Sequence, residues 1–322
     1  MHKEIICRLF PCSTLIVKTR SVRSLVLLGF DKDLFFQEKG FIMNLDLQKP
    51  EKIIVLSASL SLLVSMLFLK FSGFSVSSIV NFYNHIIKSI IFSANTDTLA
   101  ALRLLLGPFV FVATSLVFFT LAMSLMAYHG SKSERKYAGS LSGIAGALIS
   151  IILFPTIAGV FLALAFLICS FYAVRFSNMY AKELKKWVRF RIGSNTVGKV
   201  FLIANIIIAL GVFSSVLLQQ SQYESSFKQE IKESVRSLAL SLPGASTAPP
   251  EVLNQRIEST ASSLTSSKFF SAYIIWLPIS AGFTTWIVLE FLRNLIFANL
   301  GGLFTYSLSK VSKKPIKHLA TN

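Results

Sequence analysis

Acidic residues are scarce in this chain: 15 Asp and Glu stand against 32 Lys and Arg in 322 residues, a formal net charge of +17. Cysteine is limited to Cys7, Cys12 and Cys169. Cys169 lies inside an apolar run and reads as a small buried residue, while Cys7 and Cys12 lack a second pair or a neighbouring histidine, so neither a disulfide framework nor a zinc site follows. The four histidines, His2, His85, His129 and His318, are scattered along the chain. Neither HExxH, GxxxxGK[ST] nor GxGxxG occurs, and GSLSG at 139–143 has Leu141 where a nucleophile elbow needs serine. Together these absences exclude the usual signatures of metallohydrolases, nucleotide-binding folds and serine hydrolases. The chain is therefore expected to be non-enzymatic, with no cofactor and no metal site.

What the sequence has in excess is apolar length. It is 53% hydrophobic with a mean hydropathy of +0.64, and the apolar residues come in nearly uncharged blocks of spanning length rather than dispersed. The blocks are apolar on every side, without the strict alternation of a membrane barrel. The fold class is thus an all-α integral membrane protein. The positive charge then reads as the cationic excess of cytoplasmic loops, not as a nucleic-acid surface, because no stacking aromatics interleave with the charges in a soluble domain.

Residues 1–42 differ from the rest. They are basic, and their one apolar run, SLVLLGF, is too short to cross. They are expected to form a disordered tail or to lie outside the natural product, with Met43 as the alternative start. A membrane domain over 43–308 follows, its spans falling at about 53–69, 104–128, 138–154, 157–174, 200–218 and 269–291. The stretch GSLSGIAGALISIILFPTIAGVFLALAFLIC, 139–169, carries Pro155 at its centre. Proline removes a helix donor and clashes with the preceding turn, so the stretch is expected to be a tight hairpin of the third and fourth spans.

Charge supports six crossings. The loop 129–137, the segment 175–199 and the tail 309–322 are basic, whereas 219–268 is balanced: Lys228, Lys232, Arg236, Arg256 and Lys268 against Glu224, Glu230, Glu233, Glu251 and Glu258. An even number of spans puts the basic segments together and both termini in the cytoplasm, the cell membrane being the expected location. The apolar segment 294–308, with its Gly301-Gly302 pair, is expected to be a short in-plane or re-entrant helix that leaves the tail cytoplasmic.

Three segments between spans are amphipathic. In 74–92, Ile79, Phe82, Tyr83, Ile86, Ile87, Ile90 and Ile91 form one stripe and Asn81, Asn84, His85, Lys88 and Ser89 the other face, which predicts a helix lying in the membrane interface. The loop 219–268 predicts a helical hairpin: one stripe through Phe227, Ile231, Val235, Leu238 and Leu242 with its cap at Ser226, and a second through Leu253, Ile257, Ala261 and Leu264 with Pro250 in its first turn. On the cytoplasmic side Tyr180, Leu184, Trp187 and Val188 share one helical face beside Lys182, Lys185, Lys186 and Arg189, which predicts a basic amphipathic helix on anionic headgroups.

Candidate site residues follow from spacing. Gly139, Gly143 and Ala147 stack four apart on the third span, with Gly159 and Ala163 as expected partners across the hairpin. Pro108 and Pro278 open similar segments, each with a hydroxyl pair at the sixth and seventh following positions, Thr114-Ser115 and Thr284-Thr285. Freed carbonyls and these hydroxyls outline a transport path. Glu290 and Arg293, three apart, are expected to pair at the cytoplasmic end of the sixth span. On this reading no acidic residue reaches the midplane, which argues against proton-driven transport. Two functions remain in view: an accessory or scaffold subunit that docks a protein partner through 219–268, and a small channel or transporter whose path runs near the Pro108 and Pro278 spans.

Overall fold

The computed structural model describes residues 49–92, 98–133, 137–241 and 249–311. The tail read over 1–42 and everything after 311 lie outside them. Every regular element among the described residues is a helix, in keeping with a lipid-embedded chain whose backbone must satisfy its own hydrogen bonds. In order they are α1 Lys49–Phe71, α2 Val76–Phe92, α3 Thr98–Lys132, α4 Tyr137–Leu153, α5 Ile157–Glu183, α6 Val188–Leu218, α7 Gln220–Ser241, α8 Pro250–Thr265, α9 Lys268–Leu292, a π-helical turn Arg293–Phe297, and α10 Ala298–Val311. Five helical stretches are long and apolar enough to cross a membrane: Glu51–Phe92, which takes in α2 and α1 from Glu51 onward, Pro108–Lys132, Ile157–Glu183, Val188–Leu218 and Lys268–Val311. The apolar α4 is shorter.

The core lies where α1, α3, α5 and α6 meet. Phe166, Phe119, Phe201 and Phe297 form an aromatic ladder through its centre, successive ring centroids being 5.3, 5.0 and 5.3 Å apart. Ser65 of α1 donates to the Ser115 carbonyl of α3 at 2.8 Å, closing a polar contact that lipid could not replace.

Pro155 separates α4 from α5, and the two turn back on each other as the expected hairpin. Thr156 caps α5 by accepting from the Gly159 amide at 3.2 Å, and the Ser150 hydroxyl donates to the Gly159 carbonyl at 3.1 Å. The small residues of α4 face α5, but not in the register expected. A Cβ on Gly139 would meet the Ser170 carbonyl at 2.5 Å, and one on Gly143 would meet Leu167 Cα at 3.1 Å. Gly159 sits instead at the turn, where a Cβ would strike the Phe154 carbonyl. An antiparallel hairpin runs in opposite directions, so early α4 glycines meet late α5 residues. Buried Ala147 and Ala163 are left near the same level. Gly146, unremarked in the sequence, faces Leu62 of α1, 2.8 Å from where its Cβ would be.

Two expectations about helix ends are corrected. The basic amphipathic helix over 180–189 does not form: α5 ends at Glu183, Leu184 is extended, and Trp187 takes a left-handed conformation (φ 54°) before α6 starts at Val188. The fourth and fifth spans each run about two turns or more past the sequence boundaries, which leaves only a short reversal between them. Lys185, Lys186 and Trp187 are exposed on it, while Tyr180 and Val188 are buried in separate helices. This is the basic end of the bundle. The second correction concerns 294–308. It is not a separate short helix but continues α9 through the π turn, antiparallel to α6 along its length. Gly282 lies against Ala209 and Phe213, Gly301 against Val197, and Gly193 against Thr305. The Gly301-Gly302 pair breaks nothing. It admits Val197 and Phe190, whose atoms lie 2.5 and 2.7 Å from where the Cβ atoms would be.

At the other end, α7 follows α6 after Gln219 and begins at Gln220, six residues ahead of the expected cap at Ser226. α7, α8 and α2 form a cap there. Phe227, Ile231, Val235, Ile257 and Ala261 bury their stripes against one another and against Phe270 and Ile274 of α9. Lys232 pairs with Glu258 at 2.7 Å and holds that carboxyl below the usual range. Lys88 of α2 pairs with Glu230 of α7 at 3.0 Å. The expected wet face of α2 is partly inside: Asn84 is buried and accepts a hydrogen bond from Tyr273 at 2.8 Å, whereas Ile86 and Ile90 are exposed. A protein partner, α7–α9, thus competes for the face that periodicity assigned to water.

Candidate functional site

The two prolines sit inside helices, Pro108 in α3 and Pro278 in α9. Pro278 has no amide hydrogen, so the Ile274 carbonyl four residues earlier loses its helical donor. The Gln220 side chain takes its place, donating to that carbonyl at 3.0 Å. The freed carbonyl therefore holds α7 to α9 and is not part of an open path.

The hydroxyl pairs divide. Thr114 donates back to the Val110 carbonyl at 2.8 Å, and Thr284 is bonded to the Tyr83 hydroxyl of α2. Neither lines the cavity described next. Ser115 and Thr285, each the seventh residue after its proline, do. The structure brings one member of each pair to a common space and uses the other for local or α2 packing.

That space is a cavity of about 650 Å³ lined by α1, α3, α5, α6 and α9 and by Gly73–Ser77 at the junction of α1 and α2. Its body is apolar, with walls that include Met66, Leu116, Phe119, Leu162, Phe166 and Ile208. Polar groups are the minority, and Ser65 and Ser115 among them bond to each other, the arrangement of a binding pocket in which the walls supply burial and a few dipoles fix orientation. Toward the cap lie Lys70, Thr156, Ser215, Gln219 and Tyr223; toward the middle lie Asn205 and Thr285. Lys70 donates to the Leu153 carbonyl at 2.9 Å and lies over the Phe154 ring. The Ser215 hydroxyl is buried, 5% exposed, with no hydrogen-bond partner.

Behind the inner end of the cavity is a charged cluster. Buried Asn205 donates to Glu290 at 3.2 Å. Glu290 pairs with Arg293, whose guanidinium also donates to the Gly198 carbonyl at 3.2 Å and to the Asn294 side chain at 2.9 Å. Both charged side chains are about one-fifth exposed or less, at 20% and 17%. The pair is therefore a true ion pair, but not at a helix end. Asn205 lies 17 residues past Val188 and 13 before Leu218; Glu290 lies 22 residues past Lys268 and 21 before Val311. Continuation of α9 into α10 moves the pair from the expected boundary to mid-length. The π turn that begins at Arg293 lies directly beneath it, and such local widenings recur at functional sites.

Glu290 was legible as a paired carboxylate and Asn205 as a polar residue inside a span. Their partnership was not, because it depends on the antiparallel register of α6 and α9. Ser215 and Lys70 were missed as site residues. The signal available was the spacing of Asn205, Ile208, Val212, Ser215 and Gln219, three or four apart on one face of α6, all of which line the cavity. Compared with protein-family models, with curated proteins and with solved structures, the chain matches none.

Proposed function

We propose that the chain crosses the membrane six times and is a transporter-type protein that binds a small, largely apolar solute in the cavity and passes it toward the mid-bundle Asn205–Glu290–Arg293 cluster, without covalent chemistry. The observation that carries this reading is the cavity itself, whose inner end reaches Asn205 and Thr285 and so abuts the Glu290–Arg293 pair. With the crossings proposed here the pair stands within the membrane, where charges are costly and are characteristically tied to a pathway. The stripes of α7 and α8 are covered within the chain, which leaves them unavailable to a docking partner. What remains for a protein partner is the exposed surface of α7 and α8, mostly polar but with Leu238, Leu240 and Val252 exposed on it.

Reconstituted vesicles test the reading. A fluorescent hexyl probe placed in one leaflet should reach the other faster with the protein than without it, and Ala204→Trp, which fills the cavity from α6, should return the rate to that of empty vesicles. Equal rates for wild-type and empty vesicles would sink the proposal.

In this reading α4, 17 residues and about 25 Å long, completes the six crossings as the hairpin partner of α5. The basic end faces the cytoplasm, where Lys182, Lys185, Lys186, Trp187 and Arg189 meet anionic headgroups. The balanced α7–α8 end faces outward. A cysteine substituted for Lys185 should resist a membrane-impermeant thiol reagent in intact cells and react once the membrane is opened. Reaction in intact cells would reverse the topology.

A further inference from the structure

Three features of the cavity point to one class of occupant. The first is charge. Lys70 is its single charged lining residue, no carboxylate lines it, and no carboxylate pairs with Lys70 among the described residues. Its ammonium has three donors, of which the Leu153 carbonyl takes one.

The second is the unpartnered Ser215 hydroxyl. A buried hydroxyl without a partner is unfavourable unless a ligand or water supplies one. Ser215 and Lys70 are at the same level of the bundle. A Cβ on Gly211 would lie 2.7 Å from Phe161, so one turn farther along the antiparallel pair Ser215 comes level with Ile157, beside the Leu153–Thr156 turn that Lys70 grips.

The third is shape. The cavity wall follows α6 from Phe201 to Gln219, about 27 Å at about 1.5 Å per residue. Along that length the walls are mostly apolar, which suits an extended hydrocarbon chain.

We propose that the cavity takes a hydrocarbon chain of an anionic amphiphile, with the acidic head held at the mouth by the Lys70 ammonium and the Ser215 hydroxyl and the chain running down the α6 wall toward Phe166 and Asn205. This rests on the reading of the cavity as the binding site and names its substrate class. The chain comes either from a free fatty acid or from an anionic membrane lipid, which present the same chemistry to these residues. Lys70 acts as the head-group contact because an ammonium beside apolar walls, with no carboxylate to neutralise it, favours an anion over a neutral head of equal size.

The test is photolabelling of the full-length protein in detergent with three probes that carry a diazirine at the chain end: palmitate, the corresponding C16 alcohol, and phosphatidylglycerol with the same chain. Palmitate, phosphatidylglycerol or both should label peptides around Phe166 and Asn205 about tenfold more than the alcohol does. Lys70→Gln should erase that preference and Lys70→Arg, which keeps the charge, should retain it. Labelling by palmitate alone identifies a free fatty acid as the source; labelling by phosphatidylglycerol alone identifies a membrane lipid. Equal labelling by acid and alcohol, unchanged in Lys70→Gln, would overturn the anionic assignment and leave cavity binding intact. If no probe labels the inner end, or if Ala204→Trp leaves labelling unaltered, both this inference and the binding reading fail.

Discussion

Glu290→Gln is expected to destabilise the protein by about 3–5 kcal/mol, the usual cost of removing one partner from a buried ion pair. Arg293 would remain charged at mid-bundle with only neutral acceptors to hold it, the Gly198 carbonyl, the Asn294 side chain and the new amide, and its Nε already lacks a partner. A guanidinium cannot shed its proton to escape. The opposite change, Arg293→Gln, should cost less, because the carboxylate left behind can take up a proton and keep its bond from Asn205. The double variant Glu290→Gln/Arg293→Met should recover much of the loss, since no charge then remains to be desolvated. Thermal unfolding in a fixed detergent reads all three. Equal losses in the two single variants would mean that the pair is solvated and not intramembrane. If the double variant is stable yet inactive in the vesicle assay, the pair is present for function and not for folding.

Gly193→Ala and Gly198→Ala should have opposite signs although they lie five residues apart on α6. A Cβ on Gly193 would lie 2.3 Å from Thr305 Oγ1 and 2.4 Å from the Gly301 carbonyl, so α10 must retreat. Overpacking of this kind costs about 1–3 kcal/mol, and here it would also loosen α10 from α6 below the charge pair. At Gly198 the nearest atom, Ala298 Cβ, would be 3.6 Å away, an ordinary contact. Alanine there should stabilise by about 0.5–1 kcal/mol through the entropy that glycine loses in a helix. The same melting measurement checks both. A neutral Gly193→Ala would mean that α10 is not seated on α6 and would revive the in-plane reading of the C-terminal segment.

Some of this molecule was legible one residue at a time. Uniform apolarity over spanning lengths dictates helices in lipid, because no other isolated segment satisfies its own backbone there. Pro155 makes a hairpin of the central stretch because it removes a donor where two helices must part. The stripes of Phe227–Val235 and Ile257–Ala261 announce a helical hairpin because their period is that of the helix.

What the residues could not decide alone is depth and partnership. Glu290 looked terminal because the apolar run ends near it, yet α10 finds cover against Val197 and Ser124 and carries the helix on. Gly301-Gly302 looked like a break, yet close approach of α6 turns the same missing side chains into a contact surface. Asn84 looked wet until Tyr273 was brought to it from 189 residues away. Composition and local period determined that the chain is helical and suited to a membrane. Only tertiary packing, through the antiparallel register of α6 with α9 and α10, placed the ion pair in the middle of the bundle and left the cavity beside it. The cause is that register is fixed by contacts between residues far apart in sequence, and no local pattern encodes them.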